Sequence, residues 1–181
     1  MAYSTPSTFV AGNVLTAAQL NTNLRDNIAW MATDSPACRA YNNANISISN
    51  AAAAPGTAIT LNSERFDNAA IHDTGSNTSR LTVPSGAGGK YIMGCGGSWA
   101  ASAGGNYRQT RIELNAAATN IGIDTRDGSA GHLSESAWCT VYALAAADYV
   151  ELYARQDSGG ALNFIVQSNS SPEFWMFWFR T

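Results

Sequence analysis

Any chemistry in this chain would rest on a short set of residues. His72 and His132 are far apart, and neither belongs to a metal-ligand or nucleophile motif, so both read as surface or strand-end histidines. Asp124 and Asp127 share the run Asp124-Thr125-Arg126-Asp127-Gly128, where two carboxylates in a turn could hold a calcium ion. Arg126 between them favours a local ion pair instead. Cys38, Cys95 and Cys139 are odd in number and irregularly spaced, with no C-x-x-C pair, so neither a disulfide framework nor a zinc site follows and buried thiols on strands are expected. Ser85-Gly86-Ala87-Gly88-Gly89-Lys90 lacks the order of a phosphate-binding loop and opens a strand rather than a helix, which makes it a turn. No Asp or Glu pair has flanking features that would separate an acid from a base, so neither an enzyme nor a cofactor is expected. Trp99, Tyr107 and Trp138 could stack on sugar rings as a glycan-binding surface; on strands, such side chains more often serve in a core or interface.

The elements that would carry these residues change character along the chain. Near the N-terminus, Thr16-Ala17-Ala18-Gln19 has the spacing of a capping box, and Leu15 and Leu20 stand where a hydrophobic staple would put them. A helix is expected from about 17 to 32, ended by Asp34-Ser35-Pro36. Leu20, Leu24, Ile28 and Met31 recur on it as one narrow apolar stripe. A helix of this length is marginal alone, so the stripe must lie on its own domain, on sister helices or on a host assembly. From Cys38 onward the period becomes 2. Strands are expected near 38–42, 46–49, 57–62, 69–73, 78–83, 90–99, 107–115, 119–124, 136–144, 148–155, 162–167 and 173–180, which argues for an antiparallel sandwich. In the run from Tyr149, Val150, Leu152 and Ala154 share one face. The division is an N-terminal anchor segment, 1–36, and one all-β domain, 37–181.

Composition narrows the partners. Charged residues are 13% of the chain and the formal net charge is −3, which argues against nucleic-acid binding through clustered basic residues. The N-terminus shows no basic stretch followed by an apolar one, so a secretory signal is not expected and assembly in a cytoplasm is.

The closing run Phe174-Trp175-Met176-Phe177-Trp178-Phe179 is too short to insert across a membrane, which takes about 20 apolar residues, and has the length of a buried strand. Alternation puts Phe174, Met176 and Trp178 on one face and Trp175, Phe177 and Phe179 on the other. Both faces are apolar. One can meet the opposite sheet; the other needs a cover, for which another copy of the chain is the simplest candidate.

Phe66-Asp67-Asn68, Leu81-Thr82-Val83-Pro84, Gly89-Lys90-Tyr91-Ile92-Met93 and the aromatic closing strand together resemble the C1q and tumour-necrosis-factor-like jelly rolls over about residues 38–181. That resemblance implies a ten-stranded sandwich associating as a tight homotrimer, with Tyr91 and the closing strand in its core or interface. Met93 departs from the pattern, which has Phe or Tyr there, and Gly94-Cys95-Gly96-Gly97 is unusually small. Separately, the segment from Phe9 to Asn21, continuing to Leu24-Arg25-Asp26-Asn27, is similar to the opening of many bacteriophage tail and fibre proteins. It implies a virion protein attached through this segment to other virion structural proteins at the tail or its fibres. A capsid head fibre or decoration protein and a host-glycan adhesin are the alternatives.

Overall fold

The computed structural model describes residues 4–51, 53–116, 119–167 and 170–180. Its helix starts as the capping box dictates: the Gln19 amide donates to the Thr16 hydroxyl at 3.2 Å and the Thr16 amide to the Gln19 side chain at 2.9 Å. The helical segment is α-helical over Ala17–Leu20 and Asn27–Ala29 and widens into π turns over Asn21–Asp26 and Trp30–Asp34. Side chains account for the widening. Asn23 Nδ2 donates to the Gln19 carbonyl at 2.7 Å and Thr33 Oγ1 to the Ala29 carbonyl at 2.8 Å, competing with backbone amides for acceptors four residues back. The helix outlasts its expected end by two residues because the extended backbone required before Pro36 begins only at Ser35.

Twelve strands follow among the described residues: β1 Ala37–Tyr41, β2 Ile46–Ile48, β3 Thr57–Ala58, β4 Ser63–Asp67, β5 Arg80–Thr82, β6 Gly89–Trp99, β7 Arg108–Leu114, β8 Thr119–Arg126, β9 Ser134–Leu144, β10 Tyr149–Gln156, β11 Leu162–Ile165 and β12 Glu173–Arg180. All the strand pairs are antiparallel. The first sheet runs β2-β11-β6-β12-β1-β4, with β9 along the other edge of β6; the second runs β3-β10-β7-β8, with β5 also on β10. Two expected strands are corrected. The strand at 57–62 shrinks to β3, and none forms at 69–73, where Ala70 adopts a φ of 51° that an extended ladder does not tolerate. The pairing falls instead on β4, whose polar Ser63-Glu64-Arg65 gave no apolar alternation to find it by.

The core lies between the sheets. Cys38, Tyr91, Met93, Cys95, Phe164, Phe174 and Met176 reach it from the first, and Leu81, Ile112, Val150, Leu152 and Ala154 from the second. The inward set on β10 is the one its alternation predicted. At Gly97 the missing side chain is required: a Cβ there would stand 2.1 Å from Phe164 Cζ, so glycine admits the phenyl ring into the core.

Candidate functional site

The two faces of β12 divide cleanly. Phe174 and Met176 are fully buried, and Trp178 packs partly buried against the same core. Tyr91 is core as well, its hydroxyl donating to the Ala87 carbonyl at 2.7 Å and so pinning the glycine turn, and burial holds its phenol well above the usual range. Trp175, Phe177 and Phe179 occupy the outward face, with Phe177 38% and Phe179 54% exposed.

Register builds a continuous surface around them. Trp175 lies opposite Arg39 on one side and Gly94 on the other; Phe177 lies opposite Ala37 and Ile92. The rows continue from Arg39 to Phe66 on β4 and from Ile92 to Val141 on β9. Gly94 lets the indole lie flat, since a Cβ there would come within 2.5 Å of the Trp175 ring and 2.4 Å of the Trp138 carbonyl. The Trp175 and Phe177 rings are tilted at 35° with centroids 5.1 Å apart, a favourable aromatic pair. With Arg39 and Phe66 they line a groove of about 420 Å³. Phe66 and Val141, 45% and 56% exposed, extend the apolar area across the sheet.

One end of this face is electrostatically fixed. Glu173, almost fully buried, is paired with Arg39, whose Nε donates to Oε2 at 3.1 Å, and with Arg65, whose Nε donates to the same oxygen at 3.0 Å. Arg65 also stacks over Tyr41 at 4.6 Å. A buried carboxylate bracketed by two guanidiniums holds both long side chains in place, so the groove's cationic rim is set before anything docks.

The N-terminal helix meets the sandwich beside β12. Trp30 is buried edge-on against Trp178, with centroids 4.6 Å apart at 81°. Asn68 clamps the junction, its Nδ2 donating to the Thr33 and Ser35 carbonyls at 3.3 and 2.9 Å and its Oδ1 accepting from the Ala37 amide at 2.8 Å. Among the described residues the other buried side chains on the helix are Asn23 and Asn27. Asn27 bonds both backbone groups of Ser4, at 3.0 and 2.9 Å, so the leading segment runs back along the helix. Leu15, Leu20, Leu24, Ile28 and Met31 all stay exposed, from 39% at Leu20 to 61% at Met31. Trp30 and the two asparagines, which mediate the helix's contacts, escaped sequence reading because they fall outside the apolar stripe.

The other candidate residues are dispersed. Trp99 is a core residue against Phe164, ring centroids 5.0 Å apart, which removes it as a sugar platform. Trp138 faces inward too: its indole donates to Thr110 Oγ1 at 2.8 Å and lies over Gly122. Tyr107 is half-buried beneath Arg155, which also donates to its hydroxyl at 3.0 Å. Asp124 accepts from Arg126 at 2.9 Å, the local pair expected, and Asp127 is exposed. Among the described residues no cluster of three or more His, Cys, Asp or Glu side chains could hold a metal. His132 is exposed, whereas His72 is buried, a correction to its surface placement, with Nδ1 2.9 Å from Glu64 and Nε2 3.2 Å from the Thr78 carbonyl. Cys38 and Cys95 are buried and Cys139 is exposed. Burial raises both interior thiols, that of Cys95 to about 12. Among the described residues no helix is long and apolar enough to cross a membrane.

No protein-family model matches the chain, and no curated protein does. Solved structures do. The globular domain of zebrafish complement 1qA protein is similar with a TM-score of 0.57 at 17% identity, over 81% of this chain and 99% of that one. Murine APRIL is similar with a TM-score of 0.58 at 7% identity, over 80% and 99%. At these identities the likeness concerns the fold alone: two antiparallel sheets arranged as a C1q/TNF-like jelly roll, which in this chain follows a short N-terminal helix.

Proposed function

We propose that this chain is a non-enzymatic structural protein of a phage virion, a homotrimer that attaches through residues 1–36 and displays the jelly roll at the tail or tail fibres. The observation that carries self-association is the outward face of β12. Trp175, Phe177 and Phe179 stand together with Phe66 and Val141 on one side of a sheet whose other side already forms the core. Contiguous exposed aromatics of this kind mark association surfaces, and in a closed threefold ring each copy of the chain covers this face with a different face of its own. Attachment rests on the exposed helix stripe Leu20, Leu24, Ile28 and Met31 together with the phage-like opening segment. The helix is bolted to the sandwich at Trp30 and Asn68, so whatever grips the stripe orients the domain.

Labelled antibody on purified particles tests the reading: signal at the tail is expected, signal on the head would move the protein to a capsid fibre or decoration role, and no signal would overturn the virion assignment. Sedimentation of the isolated protein tests the trimer independently.

A further inference from the structure

A second concavity lies on the other sheet, between the loop 68–79 and the ends of β5 and β10. It measures about 290 Å³, at the lower limit of ligand clefts, which run from roughly 300 to 1,000 Å³, so it suits one small ring better than a peptide. Asp73, Ser76, Asn77, Arg80, Thr82 and Tyr149 supply its polar lining.

Arg80 is the cation of this cleft, and it is held in place. Its guanidinium sits 3.9 Å above the Tyr149 ring, and its Nε lies 3.6 Å from Glu151. Glu151 is shared: it also accepts from Ser79 at 2.6 Å and from the Tyr153 hydroxyl at 3.3 Å. A stacked, planar fork with its orientation fixed is suited to an incoming carboxylate, which it can bind through two parallel hydrogen bonds.

The facing wall is equally preorganised. The Asp67 carboxylate accepts from the Ala69 and His72 amides at 3.0 and 2.8 Å, and the His72 ring is held between Glu64 and Thr78. Asp73 Oδ1 accepts from the Gly75 and Ser76 amides at 2.8 and 3.2 Å, while Oδ2 makes no hydrogen bond among the described residues. Ala70 holds a φ of 51°, a left-handed backbone that residues other than glycine rarely adopt, and strain of this kind concentrates at binding loops; Asn77, at 52°, has the side chain that tolerates it. An arginine fork opposite short hydroxyl, amide and carboxylate side chains is the donor and acceptor pattern of a ring carrying one carboxylate and several hydroxyls.

We propose that this cleft binds a single sugar-acid residue, a hexuronate or a sialate, with its carboxylate on Arg80 and its hydroxyls on Asp73, Ser76 and Asn77. The cleft is lined by residues of one chain and shares none of them with the groove on β12, so it is tested separately from trimer formation and virion location.

The test is calorimetric titration of the full chain with sodium glucuronate, N-acetylneuraminate, glucose and acetate, with residue-resolved NMR shifts to place the site. Expected are saturable shifts confined to 70–82 and the start of β10, and binding of at least one sugar acid about tenfold tighter than glucose or acetate, the effect of one charge-assisted hydrogen bond. Arg80→Gln should weaken that binding about tenfold or more. Because Arg80→Gln also removes a partner of Glu151, Asn77→Gly serves beside it: glycine accepts the left-handed backbone, so the fold is kept while the amide is lost. No saturable shift at tens of millimolar, equal binding of glucose or acetate, or unchanged affinity in folded Asn77→Gly and Arg80→Gln would each overturn the proposal.

Discussion

Truncating the two faces of β12 one side chain at a time should have two different physical consequences. Phe174 is fully buried, and Phe174→Ala removes a phenyl from a packed interior, at about 3 to 5 kcal/mol. For a chain of 181 residues each kcal/mol shifts the melting temperature by about 2 to 4 °C, so the loss should be roughly 6 to 20 °C at every protein concentration. Trp178→Ala belongs to the same class through its contact with the core and with Trp30. Phe177 is 38% exposed and its described aromatic contact is the Trp175 ring, so within one subunit Phe177→Ala should cost only about 1 kcal/mol. At a subunit interface the same change should cost on the order of 2 kcal/mol or more in association, and the melting temperature should then depend strongly on concentration. Circular-dichroism melts over a hundredfold concentration range, read beside sedimentation velocity, separate the two. Obligate coupling of folding to assembly would blur the contrast, so Phe177→Leu should be run alongside. If Phe177→Asp leaves both the sedimenting species and the melting curve unchanged, the outward face is no interface and the trimer argument fails.

Further outcomes are expected. Gly97→Ala should destabilise by about 1 to 3 kcal/mol in chemical denaturation, because its Cβ would collide with Phe164; a wild-type midpoint would mean that the ring seat is not as described. A thiol reagent at pH 8 should modify Cys139 alone in the native protein, and modification should slow when the protein self-associates, since Cys139 lies opposite Gly94 beside Trp175; three thiols reacting at once would contradict the burial of Cys38 and Cys95. The raised Cys95 thiol adds stability that is full below its ordinary value of 9.0 and is lost as pH climbs toward about 12, so Cys95→Ala should flatten the alkaline arm of a stability profile. Deleting residues 1–35 should leave the sandwich folded, less the Trp30 contact, while abolishing incorporation into particles; incorporation of the truncated protein would place attachment on the jelly roll.

The capping box at Thr16 and Gln19 and the alternations along β10 and β12 were legible because each depends on residues a few positions apart, where backbone geometry alone decides which side chains meet. Alternation does not say which face turns inward when both are apolar. In β12 that choice fell to register with β1 and β6: Phe174 and Met176 pair with Ala40, Cys38, Cys95 and Met93, inward residues of neighbouring strands, while Trp175 falls opposite Gly94, where an indole fits only on the outside. For Trp99 and Trp138 the choice between core and sugar platform stayed open because an aromatic on a strand carries no sign of its surroundings; the inward placement of both follows from Phe164 and Thr110, 65 and 28 residues away. The helix shows the limit from the other side. Its apolar stripe was plain in the sequence, yet the face that docks is Asn23, Asn27 and Trp30, because the nearby partners are the backbone of Ser4 and Ser7, which needs amide groups, and the edge of Trp178, which needs a ring. Local periodicity determined that these elements form, and long-range pairing decided which of their faces remain for another molecule.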